Sequence, residues 1–289
     1  MLNKKKLYSI ALVSIALVLM LINITDATPF AYITNSGSNN VSVIDTATNN
    51  ITAIVSASIL NNPYGVAVTP DGTKAYVTNL NDNTVSVINT KTNTVTTTIP
   101  IGNGPFGVAI TPDGTKAYVT NSDDDTVSVI NTKTNTVTTT VPVGNVPFGV
   151  AITPDGKKVY VTNSDEGTVS VINTKTNTVT DTVLVGTGPS GVAITPDGTS
   201  VYVANSDDDT VSVINTKTNT VTNVPVGFVP RGVTVTPDGK KVYVANSQSN
   251  TISAINTAKN RVIATVPGGT WPIAFGQFIG NIQMKPKIT

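Results

Sequence analysis

The chain contains no cysteine and no histidine. The first absence excludes a disulfide framework, thiolate zinc or iron–sulfur sites and a cysteine nucleophile. The second removes the Ser-His-Asp arrangement, imidazole metal sites and the one side chain that titrates near neutral pH unaided. Glutamate occurs only at Glu166 and arginine only at Arg231 and Arg261, so a glutamate pair for glycoside hydrolysis and an arginine cluster for anions also lack their parts. Charged residues make up 12% of the 289 against a usual share of about 25%, which leaves Thr, Asn and Ser to supply the polar surface. With 18 basic and 17 acidic residues the net charge is +1, and no global field draws the chain to nucleic acid.

What is present begins with an export signal. Lys4, Lys5 and Lys6 precede a mostly apolar run from Leu7 to Ile24, the basic-then-apolar order of a secretory segment, with cleavage expected after Ala27. The run of 18 residues also reaches the minimum for crossing a bilayer, so residues 1–27 read either as a signal peptide or as an uncleaved N-terminal membrane anchor. Both readings place the remainder outside the cell or on its surface. Without residues 1–27 the chain has 15 basic and 16 acidic residues, a net charge of −1. An exported chain without cysteine must be held by packing and hydrogen bonds alone.

The remainder is a repeat array. Tyr32, Tyr76, Tyr118, Tyr160, Tyr202 and Tyr243 stand in near-identical settings spaced 44, 42, 42, 42 and 41 residues apart. One unit, from Pro105, reads as four strand-like runs: Gly107–Thr111, Lys116–Asn121, Thr126–Asn131 and Thr136–Val143. Between them lie Thr111-Pro112-Asp113-Gly114, which suits a type I turn, an Asp-rich loop, and a Thr-Lys-Thr-Asn turn with Asn135 in a left-handed position. Four strands every 42 residues or so predict an all-β fold, a β-propeller. Gly107 and Ala109 suit the crowded hub, and the Thr-rich fourth strand suits a wet outer edge.

The count of strands predicts how the ring closes. The first unit starts at its second strand, Phe30–Asn35, and Trp271-Pro272-Ile273-Ala274-Phe275-Gly276 matches Gly104-Pro105-Phe106-Gly107-Val108-Ala109. The expectation is six four-stranded blades over residues 28–280, closed by the C-terminal strand joining the N-terminal blade, with 281–289 as a short tail.

Tyr-Val-Thr-Asn at Tyr76–Asn79, Tyr118–Asn121 and Tyr160–Asn163, with variants at Tyr32, Tyr202 and Tyr243, resembles the signature of the YVTN-type β-propeller repeat proteins. The likeness extends through Val-Ala-Ile-Thr-Pro-Asp-Gly, Thr-Val-Ser-Val-Ile-Asn-Thr and Phe275-Gly276-Gln277-Phe278-Ile279-Gly280, and covers residues 30–280. Many members of that family are surface-layer or other cell-surface proteins. The resemblance implies a non-catalytic extracellular role in binding or envelope assembly, with a protein or cell-envelope polysaccharide as partner, or self-association. Members often have seven blades, from which a count of six departs.

Alternating strand directions give two unlike faces. The top gathers nine carboxylates, Asp82, Asp123, Asp124, Asp125, Asp165, Glu166, Asp207, Asp208 and Asp209, against Arg231 alone, while the bottom gathers twelve cations against six aspartates. Such a dipole suits orientation at an envelope or stacking between copies, and salt should weaken both. Asp123–Asp125 and Asp207–Asp209 offer oxygen ligands for calcium, the one cofactor in view, or else are solvated turn charges without the spaced ligands of an EF-hand. The residue before the hub glycine or alanine varies while its neighbours repeat: Tyr64, Phe106, Phe148, Ser190, Arg231 and Ile273. With Trp271, the sole tryptophan, these residues make a candidate mouth for a sugar or an acidic ligand, or else pack the gaps between blades. The repeated tyrosines read as structural, and the asparagine ending each string as a partner for backbone groups. Asn40 and Asn50 open glycosylation sequons. The alternative function is a propeller hydrolase of lactonase type or a sugar-binding module with its site at the channel mouth.

Overall fold

The computed structural model of the chain describes residues 30–272. The N-terminal segment, the strand expected to close the ring and the tail lie outside the described residues, apart from Trp271 and Pro272. Within them, one three-stranded and five four-stranded antiparallel sheets follow one another along the chain, each a simple meander. Blade 3 has strands Pro105–Ile110, Lys116–Asn121, Thr126–Asn131 and Thr136–Pro142. Its inner strand starts two residues earlier than expected, because Pro105 pairs with Asn121 and Val108 with Val119, leaving Phe106 and Gly107 bulged opposite one residue. The expected fourth strand ends one residue sooner, at Pro142.

The turns follow from their residues. Gly114 adopts φ 71° and donates its N–H to the Thr111 carbonyl at 2.8 Å, while Asp113 Oδ1 accepts from Thr111 Oγ1 at 2.5 Å and from the Thr115 N–H at 3.0 Å. These bonds hold the Asp113 carboxyl below its usual range. Asn135 sits at φ 55°, as its place in the turn requires.

The core lies between blades. In the second strand of blade 3, Ala117 and Val119 face the preceding blade and join Tyr76, Val85, Val87 and Ile99. Tyr118, one residue out of phase, faces the next blade with Val127, Val129, Val159 and Val161. The two-residue period of a strand thus divides each sheet between two joints. The tyrosine adds a polar clasp at its far end: Tyr32, Tyr76, Tyr118 and Tyr202 each donate their hydroxyl to the turn asparagine of the following blade, Asn93, Asn135, Asn177 and Asn260, at 2.7–2.8 Å. The asparagine ending each string is fixed differently from expectation. Asn121 Nδ2 donates to Thr126 Oγ1 and Ser128 Oγ, so the partners are neighbouring side chains rather than backbone.

One joint is weaker. Blade 5 lacks one residue in its fourth strand, Val221–Pro225, and pairs without the bulge present at this place in the other blades. Its turn is reset accordingly, and Tyr160 Oη and Asn219 Oδ1, buried at the joint between blades 4 and 5, are both without a hydrogen-bond partner. Tyr118→Phe should therefore cost about 1 kcal/mol, the usual net worth of a hydrogen bond, whereas Tyr160→Phe should be neutral or stabilising; urea unfolding of the two variants measures the contrast. Burial pushes Tyr76, Tyr118, Tyr160 and Tyr202 up to about 12. Because the folded state holds these protons more tightly, stability should be full below pH ~10, the unfolded value, and fall as pH rises toward ~12. Loss of β-sheet circular dichroism coincident with tyrosinate absorbance checks it; separate transitions would refute it.

Candidate functional site

At the hub, each inner strand meets the next blade through its backbone. Thr34, Thr78, Thr120 and Thr162 donate Oγ1–H to the carbonyls of Tyr64, Phe106, Phe148 and Ser190 at 2.6, 2.8, 2.9 and 2.8 Å. A Cβ on Gly107 would stand 2.7 Å from the Phe148 carbonyl, and one on Gly191 2.5 Å from that of Arg231. Only glycine allows this approach.

The residue before each glycine is thereby held at the mouth. Tyr64, Phe106 and Phe148 form one aromatic cluster, with centroids 4.7 Å apart for Tyr64–Phe106 in an edge-on arrangement and 4.3 Å for Phe106–Phe148. Ser190 departs from expectation. It is 8% exposed, and its hydroxyl lies 3.1 Å from the Arg231 carbonyl, turned into the joint instead of the mouth. The reason is at residue 204, where alanine replaces the threonine of the string. Ser190 supplies the donor that Thr78, Thr120 and Thr162 supply elsewhere.

Arg231 is half-buried and, like Ser190, does not line the hub pocket. Its Nε is buried without a hydrogen-bond partner, and among the described residues the ion pairs are Lys157–Asp155 and Lys240–Asp238, both on the opposite face. Burial pushes the Tyr64 hydroxyl up, and the nearby Arg231 charge draws it back. A small, partly open pocket is lined by Tyr64, Phe106 and Phe148 and by Val66, Val108, Val150, Val192 and Val233 from five blades. These valines were not among the expected site residues; their place directly after the hub glycine or alanine is the signal that marks them.

Trp271 is not among the residues lining this space. It is 58% exposed, at φ 51°, and its N–H donates to Asn250 Oδ1 at 2.8 Å. That is the interblade linker position taken by Asn62, Gly104, Val146, Gly188 and Val229, all left-handed. The Asp-rich loops serve the same linkers. Asp125 Oδ1 accepts from Val146 N–H and Asp209 Oδ1 from Val229 N–H, each at 2.8 Å. Asp124 accepts from Asn103 and Asp208 from Thr187, through backbone and side chain alike. Asp123 and Asp207 accept from Ser122 and Ser206. Among the described residues no group of three or more carboxylates is placed to hold a metal ion.

Asn40 holds the position of Thr126 in blade 3: its Oδ1 accepts from Asn35 Nδ2, and its own Nδ2 donates to the Ser38 carbonyl. Asn50, by contrast, is exposed at the start of its strand. On the bottom face Lys74, Lys116 and Lys158 donate Nζ–H to the carbonyls of Thr132, Thr174 and Thr216 on the following blade. Lys91, Lys133, Lys175, Lys217 and Lys259 stand exposed in successive turns.

Two family descriptions match parts of the chain, "YNCE-like beta-propeller" over residues 114–199 and "Lactonase, 7-bladed beta-propeller" over residues 174–262. No curated protein matches the sequence. Similar solved structures include the Kuenenia stuttgartiensis hydrazine synthase, 23% identical with TM-score 0.76, covering 84% of each chain. Others are a functionally unknown protein from Desulfotomaculum acetoxidans, 19% identical, TM-score 0.71, covering 84% of this chain and 85% of that one, and the selenomethionine-substituted virginiamycin B lyase from Staphylococcus aureus, 17% identical, TM-score 0.73, covering 83% and 81%. At such identities the likeness is one of fold, and the chain is a β-propeller repeat protein.

Because Asp124, Asp125, Asp208 and Asp209 each accept from a linker N–H, the Asp-rich loops should act as caps. Asp125→Ala should cost about 1 kcal/mol through loss of the bond to Val146, and calcium should leave the melting temperature where a chelator leaves it. A calcium-dependent rise, abolished in an Asp123–Asp125 variant, would make the loop a metal site instead.

Proposed function

We propose that this chain is a surface-layer-like, YVTN-type propeller module that is exported by its N-terminal segment, acts at the cell surface without catalysing a reaction, and works by binding an envelope partner. The observation that carries this reading is the division of labour among the repeated polar groups. Tyrosines, turn asparagines, loop aspartates and second-strand lysines are tied to adjoining segments or to the next blade, while the residue before the hub glycine changes chemistry from blade to blade. A scaffold of repeated joints that presents unlike residues at one repeated position suits recognition. The acidic top and the exposed lysines below suit an oriented, salt-sensitive association with envelope polysaccharide, protein or a second copy.

The reading includes a ring completed by residues 273–276. Ile33 is 45% exposed, whereas its counterparts Val77, Val119, Val161 and Val203 are fully buried, and its three-stranded sheet has room for an inner strand. Trp271 also follows the linker course of the earlier blades, which supports this part of the reading. A second reading, a hydrolase of lactonase type, is favoured by the match over residues 174–262; at the mouth it would have Tyr64 and Arg231 to work with.

Full-length protein returned to its host should be cut by protease added to intact cells. The purified protein should sediment with isolated envelopes in dilute buffer and be released at about 0.5 M salt, where charges beyond a few ångströms no longer interact. Protection inside intact cells, or lactone or ester turnover lost in Tyr64→Phe, would overturn the reading.

A further inference from the structure

We propose that the outer strand of blade 1, Asn50–Ser56, pairs with the same strand of a second copy, so that two propellers join edge to edge through one continuous sheet. The inference rests on the surface role given above and deepens it, naming a second copy as a partner and the edge that receives it.

Every blade ends in an outer strand that is paired on one side only among the described residues. Such an edge accepts a further strand unless something guards it. Four of the outer strands carry proline at their last position, Pro100, Pro142, Pro225 and Pro267, and proline offers no N–H to a newcomer. The outer strand of blade 4 ends in Leu184 but carries Asp181, and that of blade 6 adds Arg261 to its proline. Blade 1 has neither guard. Asn-Ile-Thr-Ala-Ile-Val-Ser contains no charge and no proline, with Ser56 standing opposite Asn40 where Pro142 stands opposite Thr126. Ile51, Thr52, Ile54 and Val55 are β-branched, the residues that favour a pleated sheet.

The exposed side chains set this edge apart as well. Ile54 is 58% exposed, in the place that Thr98, Thr140, Thr182, Asn223 and Thr265 take in the other blades. Thr140 and Thr182 remain exposed although the joints beside them are formed, so Ile54 stays in water whether or not blade 6 lies against blade 1. The molecule thus keeps an apolar side chain on its outer rim where its own repeats use a polar one.

The occupant follows from what the edge asks for. Only a strand satisfies a row of backbone N–H and C=O groups, and the strand that fits here is neutral, β-branched and free of proline. Among the outer strands of this chain Asn50–Ser56 alone meets that description, so its mate is itself. Two identical strands pair antiparallel about a two-fold axis, the commonest symmetry of homo-oligomers, and β-branched residues then meet across the new ladder. A single strand pair is a small interface, which sets the association in the micromolar range.

Sedimentation velocity on the purified full-length protein, in a concentration series reaching well above the micromolar range, should show a monomer–dimer equilibrium. It should persist at about 0.5 M salt, because no charge takes part. I54T/S56P gives blade 1 the threonine and proline that blades 2 and 3 carry at these places; it should keep the wild-type circular dichroism and weaken dimerisation at least tenfold. Ile54→Lys, a guard of another kind at an exposed position, should do the same. The reverse exchange in blade 2, T98I/P100S, should open a second edge and add species larger than the dimer. A monomer at every concentration, a dimer undiminished in both blade 1 variants, or a dimer dissolved by salt would each overturn the proposal. Protease access on intact cells and salt-sensitive envelope sedimentation do not depend on this edge, so failure here and failure of the surface role remain distinguishable.

Discussion

The contact on which the rest depends is the meeting of one hub glycine with the carbonyl of the next blade, closed by a hydroxyl from the strand beside it. Burying a carbonyl between two sheets is costly unless a donor is supplied, and Thr34, Thr78, Thr120 and Thr162 supply it. The approach is too close for any Cβ, so glycine recurs there. Once that distance is set, the valines and tyrosines farther out fill what remains of each joint. The residue preceding the glycine is left at the inner end of the joint, where Tyr64, Phe106 and Phe148 come together and Ser190 turns into the joint.

Much of this was legible in the sequence. The period near 42 residues gave the blade, the turn residues gave the strand limits to within two positions, and the repetition of tyrosine in every unit marked it as structural. Of the column of variation beside a constant glycine, Tyr64, Phe106 and Phe148 do come together in one cluster. Other features were hidden for physical reasons. Trp271 attracted notice through its rarity, yet its alignment with Gly104 already placed it in the linker, and a left-handed backbone there turns its side chain to solvent. Ser190 looked like a polar group of the mouth because its pairing with Ala204 crosses two strands, and only geometry shows that the two residues exchange one donor.

The Asp-rich loops teach the same lesson about charge. Runs of three carboxylates invite a metal, and here Asp125 and Asp209 each take a linker N–H on one oxygen. Asn39, Asn83 and Asn250 take the place of Asp125 and Asp209 in other blades and make the same bond. Neutral amides and carboxylates interchange there because the shared requirement is an acceptor oxygen on a short side chain that tolerates a left-handed backbone.

The order of residues round the hub, Tyr64, Phe106, Phe148, Ser190 and Arg231, has a consequence of its own. The second and third strands repeat almost without change from blade to blade, so a partner reading those strands would find several nearly equivalent settings. At the axis no two non-adjacent positions offer the same chemistry apart from the aromatic arc itself, and a line drawn from that arc to Arg231 defines a single direction. Anything that reads the hub is therefore held at one azimuth, and the molecule acquires a compass bearing that its repeated scaffold does not possess.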